Sequence, residues 1–255
     1  TSNGEKREFG QADKKGLEAS AYVGHDWKLS NRVAIQYGIR YSNYDYKSAN
    51  GEYYDRIPVA PSTENPSGYA LKINQIDPEA TVATYGNWEP RFAMNITANE
   101  STSLKWSYNR LVQYIHLMSN TAASTPLDVW TSSTNNIKPQ IVDQVAMGVF
   151  KNFGPDGNNY ESSIEVYYKD MQNQIDYADR SNLFLNPFFE KDLLFGEGRA
   201  YGIEFFVKKN VGKLTGWISY TLARSERKIG GLNGGEWYAN RYDRTHNLNV
   251  IGQYS

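Results

Sequence analysis

The chain has no cysteine, only three histidines among 255 residues, and almost no net charge: 27 basic against 28 acidic side chains leave −1. Without cysteine there is no disulfide framework, thiolate metal centre or cysteine nucleophile. Charge this close to balance gives no pull toward a polyanion, so no nucleic-acid partner is expected. No apolar run approaches the roughly 20 residues of a membrane-spanning helix. No basic-then-apolar leader opens the chain, whose first residue is Thr1; this reads as a mature product or a fragment of a longer one. Mean hydropathy is −0.66, low for a protein with 20 tyrosines and six tryptophans.

What is present is a period of two. Val33, Ile35, Tyr37, Ile39 and Tyr41 alternate with Ala34, Gln36, Gly38, Arg40 and Ser42, the pattern of a strand with one apolar and one polar face. The same alternation recurs and predicts nine strands, near 18–28, 32–46, 88–98, 102–113, 141–152, 159–170, 199–209, 213–225 and 245–255. The connections alternate too. Those at 29–31, 99–101, 153–158 and 210–212 are short, and those at 47–87, 114–140, 171–198 and 226–244 are long. Short turns at one end and long loops at the other are expected of an up-and-down antiparallel transmembrane barrel, with periplasmic turns and extracellular loops. A strand of about ten residues at ~3.3 Å each, tilted ~45°, rises ~23 Å, which matches the apolar band of such a barrel.

Aromatic residues cluster near the predicted strand ends. Tyr41, Tyr44, Trp88, Tyr114, Tyr168 and Tyr201 fall toward the long loops, and Phe153, Tyr160 and Tyr254 toward the short turns, as two interfacial girdles would. The polar faces then line a wet lumen, with Arg40, Arg91, Lys105, Glu161, Glu165, Lys169 and Glu204 as lumen-facing candidates. The competing reading is a soluble all-β sandwich or propeller, whose strands alternate in the same way. Four long loops emerging on one side are what that reading leaves unexplained.

Several segments resemble the C-terminal barrel half of TonB-dependent outer-membrane receptors: WKLSNRVAIQYGIRY over 27–41, WEPRF over 88–92, SLKWSYNR over 103–110 followed by Gln113 and Tyr114, EVYYK over 165–169, GRAYGIE over 198–204, GWISYT over 216–221 and YDRTH over 242–246. Their order and spacing carry the resemblance beyond residue 17. It implies a 22-stranded barrel filled by an N-terminal plug, a short segment that engages TonB, location in the outer membrane, and active uptake of a small-molecule or oligomeric nutrient such as a siderophore, cobalamin, glycan or peptide. Plug, TonB segment and the remaining strands have no counterpart here. Residues 1–255 are therefore expected to be one segment of a receptor barrel, with outer-membrane lipid as a partner.

Chemistry-bearing residues are few. Asp243 could orient His246 as a general base, yet no nucleophile or metal-ligand set accompanies them. The alternative gives Asp243, Arg244 and His246 a structural role at the loop–strand rim. Glu161, Glu165 and Glu204 could form a glycosidase carboxylate pair, or simply face the lumen. Loop aromatics Trp130, Phe184, Phe188, Phe189 and Trp237 either meet a ligand or pack the loops together. No catalytic residue, cofactor or metal site is expected. Beside the transporter reading stand a passive porin-like or adhesin-like barrel and a soluble β-rich glycosidase.

Overall fold

A computed structural model describes residues 14–62, 67–118, 129–155, 159–178, 186 and 188–254. Its strands are β1 (Lys15–Lys28), β2 (Val33–Lys47), β3 (Glu52–Pro58), β4 (Tyr69–Gln75), β5 (Thr81–Asn99), β6 (Thr102–Gln113), β7 (Ile115–Met118), β8 (Val129–Ser132), β9 (Gln140–Phe153), β10 (Tyr160–Tyr177), β11 (Leu193–Lys209), β12 (Leu214–Ile229), β13 (Tyr238–Ala239) and β14 (His246–Tyr254). One antiparallel sheet runs β1-β2-β5-β6-β9-β10-β11-β12, and both β13 and β14 pair with the far edge of β12. Neighbours in the sheet are neighbours in the chain, apart from two hairpins, β3–β4 and β7–β8, set within long connections. The sheet is open, as a partial barrel requires.

The predicted strands are all present, but several run further than the apolar alternation indicates. β5 begins at Thr81, β10 continues to Tyr177, β11 begins at Leu193 and β12 continues to Ile229. All four extensions lie at the long-loop end. Pairing between neighbours persists there after the apolar stripe has ended, for example at Asp176↔Leu194 and Glu197↔Lys228. The last strand is split. Ala239 pairs with Glu226 and His246 with Leu222, so seven steps of this strand span four of β12. Asn240 and Thr245 still bond to Ser225 and Ala223, and the surplus bulges out of the ladder at residues 241–244.

One face of the sheet is apolar and exposed. Tyr37, Ile39, Leu104, Met147, Val149, Ile164, Val166, Phe205, Val207, Ile218, Leu248 and Val250 all stand on it with large accessible areas. In water each would forgo roughly half of the ~1.5–3 kcal/mol that full burial of such a side chain contributes. The buried apolar residues are instead Tyr44, Tyr46, Tyr114, Met118, Ile137, Ile175, Ala178, Phe189, Leu193 and Ile229, all toward the long loops. A sandwich would bury its apolar face against a second sheet; here the core lies at one end.

Cross-strand aromatic pairs mark both limits of the apolar band. Tyr41 and Trp88 lie 4.7 Å apart between ring centres, Tyr168 and Tyr201 6.3 Å, and Phe153 and Tyr160, at the other end, 5.1 Å. Tyr44 and Tyr114 do not belong to the girdle. Tyr44 is three residues from Tyr41, and an odd step puts it on the opposite, polar face. There it stacks on Tyr114 at 5.0 Å, and both rings are buried. Two glycines accommodate tyrosine rings: a Cβ on Gly16 would lie 2.0 Å from the Tyr44 hydroxyl, and one on Gly86 2.3 Å from that of Tyr41.

Candidate functional site

The long connections fold against one another and against the upper part of the polar face, which makes a cap at one end of the sheet. Its apolar centre is Met118, Ile137, Ile175, Phe189 and Leu193, flanked by Tyr177 and Phe195. Polar contacts tie the pieces together. Glu190, 4% exposed, is ion-paired with Lys14 and accepts hydrogen bonds from Asn136 Nδ2 at 2.7 Å and Thr134 Oγ1 at 3.3 Å. Asn135 and Asn136 each donate to the Tyr54 carbonyl of β3. Arg56, also in β3, donates to the Leu193 carbonyl at 2.6 Å while its guanidinium stacks on Tyr69 and Phe195. Burial holds that guanidinium below its ordinary pKa. Residues distant in sequence therefore meet at one carboxylate and one guanidinium.

The cap is seated on the wall through tyrosines. The Ser42 hydroxyl lies 2.8 Å from that of Tyr114 and donates to Glu89, and Tyr85 donates to the Thr134 carbonyl at 2.6 Å. His116, in β7, is fully buried with Nε2 3.0 Å from Ser133 Oγ. Desolvation first, and the Lys14 charge second, push its pKa down to about 4. The buried Asp192 carboxyl is shifted the other way, upward, again chiefly by desolvation.

The lumen-facing candidates all lie on the polar face. Arg40 donates to Glu18 and Ser20 at 3.1 Å each and approaches Glu89 at 3.7 Å. Arg91 is exposed opposite Gly38 and Asn109. Lys105 rests on the Phe150 ring, and Lys169 lies near Tyr167. Glu161 accepts from Asn210, and Glu165 accepts from Ser163 and stands directly across from Glu204. These side chains form a wide, open polar wall; cavities of about 620 and 720 Å³ follow it, lined among others by Lys105 and Glu165 and by Arg40 and Arg91.

At the rim Asp243 binds Arg224 Nη1 at 3.0 Å and the Ser225 amide at 2.6 Å, while His246 Nδ1 lies 2.7 Å from the Tyr220 hydroxyl. Asp243 and His246 thus have separate partners and form no acid–base dyad. Arg244 is exposed. Of the loop aromatics, Phe189 is in the cap's core, Trp130 is 62% and Phe188 42% exposed, and Trp237 lies under Arg199. Phe184 lies outside the described residues. Glu190, Asn135, Asn136 and Arg56, which organise the cap, had no signal in the sequence beyond loop composition. Among the described residues no group of three or more His, Asp or Glu could hold a metal ion.

Comparison with known proteins agrees with this architecture. A family model described as "TonB dependent receptor-like, beta-barrel" matches residues 2–254. No curated protein matches. Among solved structures, the alcaligin outer membrane receptor FauA of Bordetella pertussis superposes with a TM-score of 0.54 at 12% identity, over 94% of this chain and 34% of that one. P. aeruginosa FpvA, solved with a pyoverdine–iron complex, gives 0.53 at 12% identity, over 95% and 34%. The copper transporter OprC gives 0.52 at 14%, over 84% and 30%. The chain spans about a third of the length of these structures, and at such identities the likeness is one of fold. An apolar outward face bounded by aromatic pairs, a polar inward face, a cap of long loops at one end and a family match along nearly the whole chain lead to one assignment: the chain belongs to the TonB-dependent receptor β-barrel family.

Proposed function

We infer that this chain is part of the barrel wall of an energised outer-membrane importer of a scarce nutrient, with siderophore, metal, cobalamin, glycan and peptide cargoes all compatible with the architecture. The observation that carries the reading is the pairing of two opposite faces in one sheet: an exposed apolar stripe limited by aromatic pairs, which suits lipid, and a polar wall that suits a plug and a passing solute. On this reading residues 1–255 are one barrel segment, and the plug and the TonB-engaging segment belong to other parts of the receptor. The polar residues from Arg40 to Glu204 meet the plug, the exposed Trp130 and Phe188 meet cargo, and no covalent reaction is catalysed.

Uptake of a labelled cargo by cells carrying the intact receptor tests this. Accumulation is expected to stop when TonB is deleted or the inner-membrane proton gradient is collapsed. Uptake that persists without TonB would make the barrel a passive pore. Glycan hydrolysis abolished by Glu165→Gln or Glu204→Gln would make it an enzyme.

A further inference from the structure

The outward face carries charges just past its aromatic limit, where a lipid-exposed wall is ordinarily apolar. Arg199 stands one outward position beyond Tyr201 and directly across from Glu226. Its Nε and Nη2 both lie 2.8 Å from Glu226 Oε2. Arg224 reaches the other oxygen of Glu226 at 3.3 Å and Asp243 at 3.0 Å. The Trp237 indole lies 4.1 Å from the Arg199 guanidinium carbon, and Tyr201 follows at 5.9 Å. Two arginines are thus fixed by one shared carboxylate, a second carboxylate and an indole.

Exposure decides what this cluster offers to its surroundings. The two arginine side chains are 33% and 41% accessible, their carboxylates 13% and 9%. Within this group of four the accessible part is therefore cationic although its charges cancel; across the other edge of β11 the exposed Asp170 of β10 stands opposite Arg199. Arg199 Nη1 and Arg224 Nη2 have no protein partner among the described residues. As a stability device, exposed ion pairs contribute little. As a seat for an anion, two guanidiniums held in place give charge-assisted hydrogen bonds without first losing side-chain freedom. The same construction recurs on this face at Arg110, 38% accessible, which is held by Asp143 at 2.7 and 2.8 Å. Asp143 also accepts from Tyr108.

Resting on the membrane reading above, we propose that Arg199 and Arg224, backed by Glu226 and Asp243, bind a phosphate of an outer-leaflet lipid headgroup. The site continues the apolar band at the level where interfacial tyrosine and tryptophan meet headgroups. A phosphate there meets the free edges of both guanidiniums while its acyl chains run down the Val207–Ile203 stripe.

The test uses the intact receptor in nanodiscs containing either bisphosphorylated lipid A or its dephosphorylated form, with retained lipid counted by native mass spectrometry. Heat-modifiable migration on gels reports separately whether the barrel has inserted. Wild type is expected to retain the phosphorylated lipid and release the dephosphorylated one. Arg199→Gln/Arg224→Gln is expected to bind the phosphorylated lipid about 10-fold more weakly or worse, and Arg199→Lys/Arg224→Lys to recover part of the loss. Equal retention by wild type and the Gln variant, or of both lipids, would overturn the proposal while leaving the barrel intact. A receptor that never inserts overturns the membrane reading, and this site with it.

Discussion

Removing the Glu190 carboxylate is expected to loosen the cap without loosening the sheet. Glu190→Ala breaks the ion pair with Lys14 and frees the donors on Thr134 and Asn136. Stripping one member of a buried pair costs about 3–5 kcal/mol. Lys14 retains 15% side-chain exposure, so water recovers part of that loss and the lower end, ~3 kcal/mol, is the figure to expect. At ~1.4 kcal/mol per factor of ten, the cap opens on the order of 100-fold more often. Amide hydrogen exchange on the intact receptor reads this directly. β3, β8 and the segment after Phe188 are expected to exchange about 100-fold faster, and the β10–β11 ladder below Tyr168 to stay protected. Glu190→Gln, which keeps the shape and loses the charge, falls between. Cap exchange within threefold of wild type, or equal loss of protection in the lower sheet, would refute the view of Glu190 as the tie between the loops.

His116 has a folded pKa of about 4 against 6.5 when free. Its burial is thus compatible with full stability above pH 6.5, and stability is lost as pH falls toward 4, by roughly 3 kcal/mol in all. Exchange in the β7–β8 hairpin followed from pH 7 to pH 4 is expected to accelerate, and a His116→Gln receptor to lack most of that dependence. Gly216→Ala places a Cβ 2.1 Å from the Ile251 carbonyl oxygen, which is backbone, at a φ of +149°. The β12–β14 pairing must part there, and a drop in the heat-modification temperature checks it. Phe189→Ala, in the cap's core, is expected to cost about 3–5 kcal/mol locally. Trp130→Ala, at an exposed position, is expected to leave exchange unchanged and alter only cargo affinity.

The transmembrane strands were legible because their alternation is a property of each strand alone: Val33 through Ser42 states its two faces without help from any neighbour. The extensions of β5, β10, β11 and β12 were not. Past the apolar band the clean period of two is lost, with the buried Ile175, Leu193 and Ile229 set among charged and polar neighbours, and only the partner strand keeps Asp176 or Lys228 extended. Tyr44 was placed by height along the strand when parity decides the face, and Tyr114 follows the end of β6 at Gln113, where the alternation no longer holds. That the candidate charges share the polar face was legible from the same alternation. The cap was not, because Lys14 and Asn136 meet Glu190 through contacts that span 176 and 54 residues of chain. Asp243 and His246, close in sequence, are separated because Asp243 lies in the bulge that takes residues 241–244 out of the ladder, while His246 is paired within it.

The two tyrosines that lie over glycines have a bearing on how this wall can change over generations. Gly16 and Tyr44, and likewise Gly86 and Tyr41, occupy one volume between them. A larger residue at either glycine displaces a ring, and a smaller residue at either tyrosine leaves a hollow over bare backbone. Each pair is expected to drift jointly or stay fixed, even though its two members belong to different strands. Substitution at one position alone would be purged, while a compensated exchange of large for small across the strands would pass.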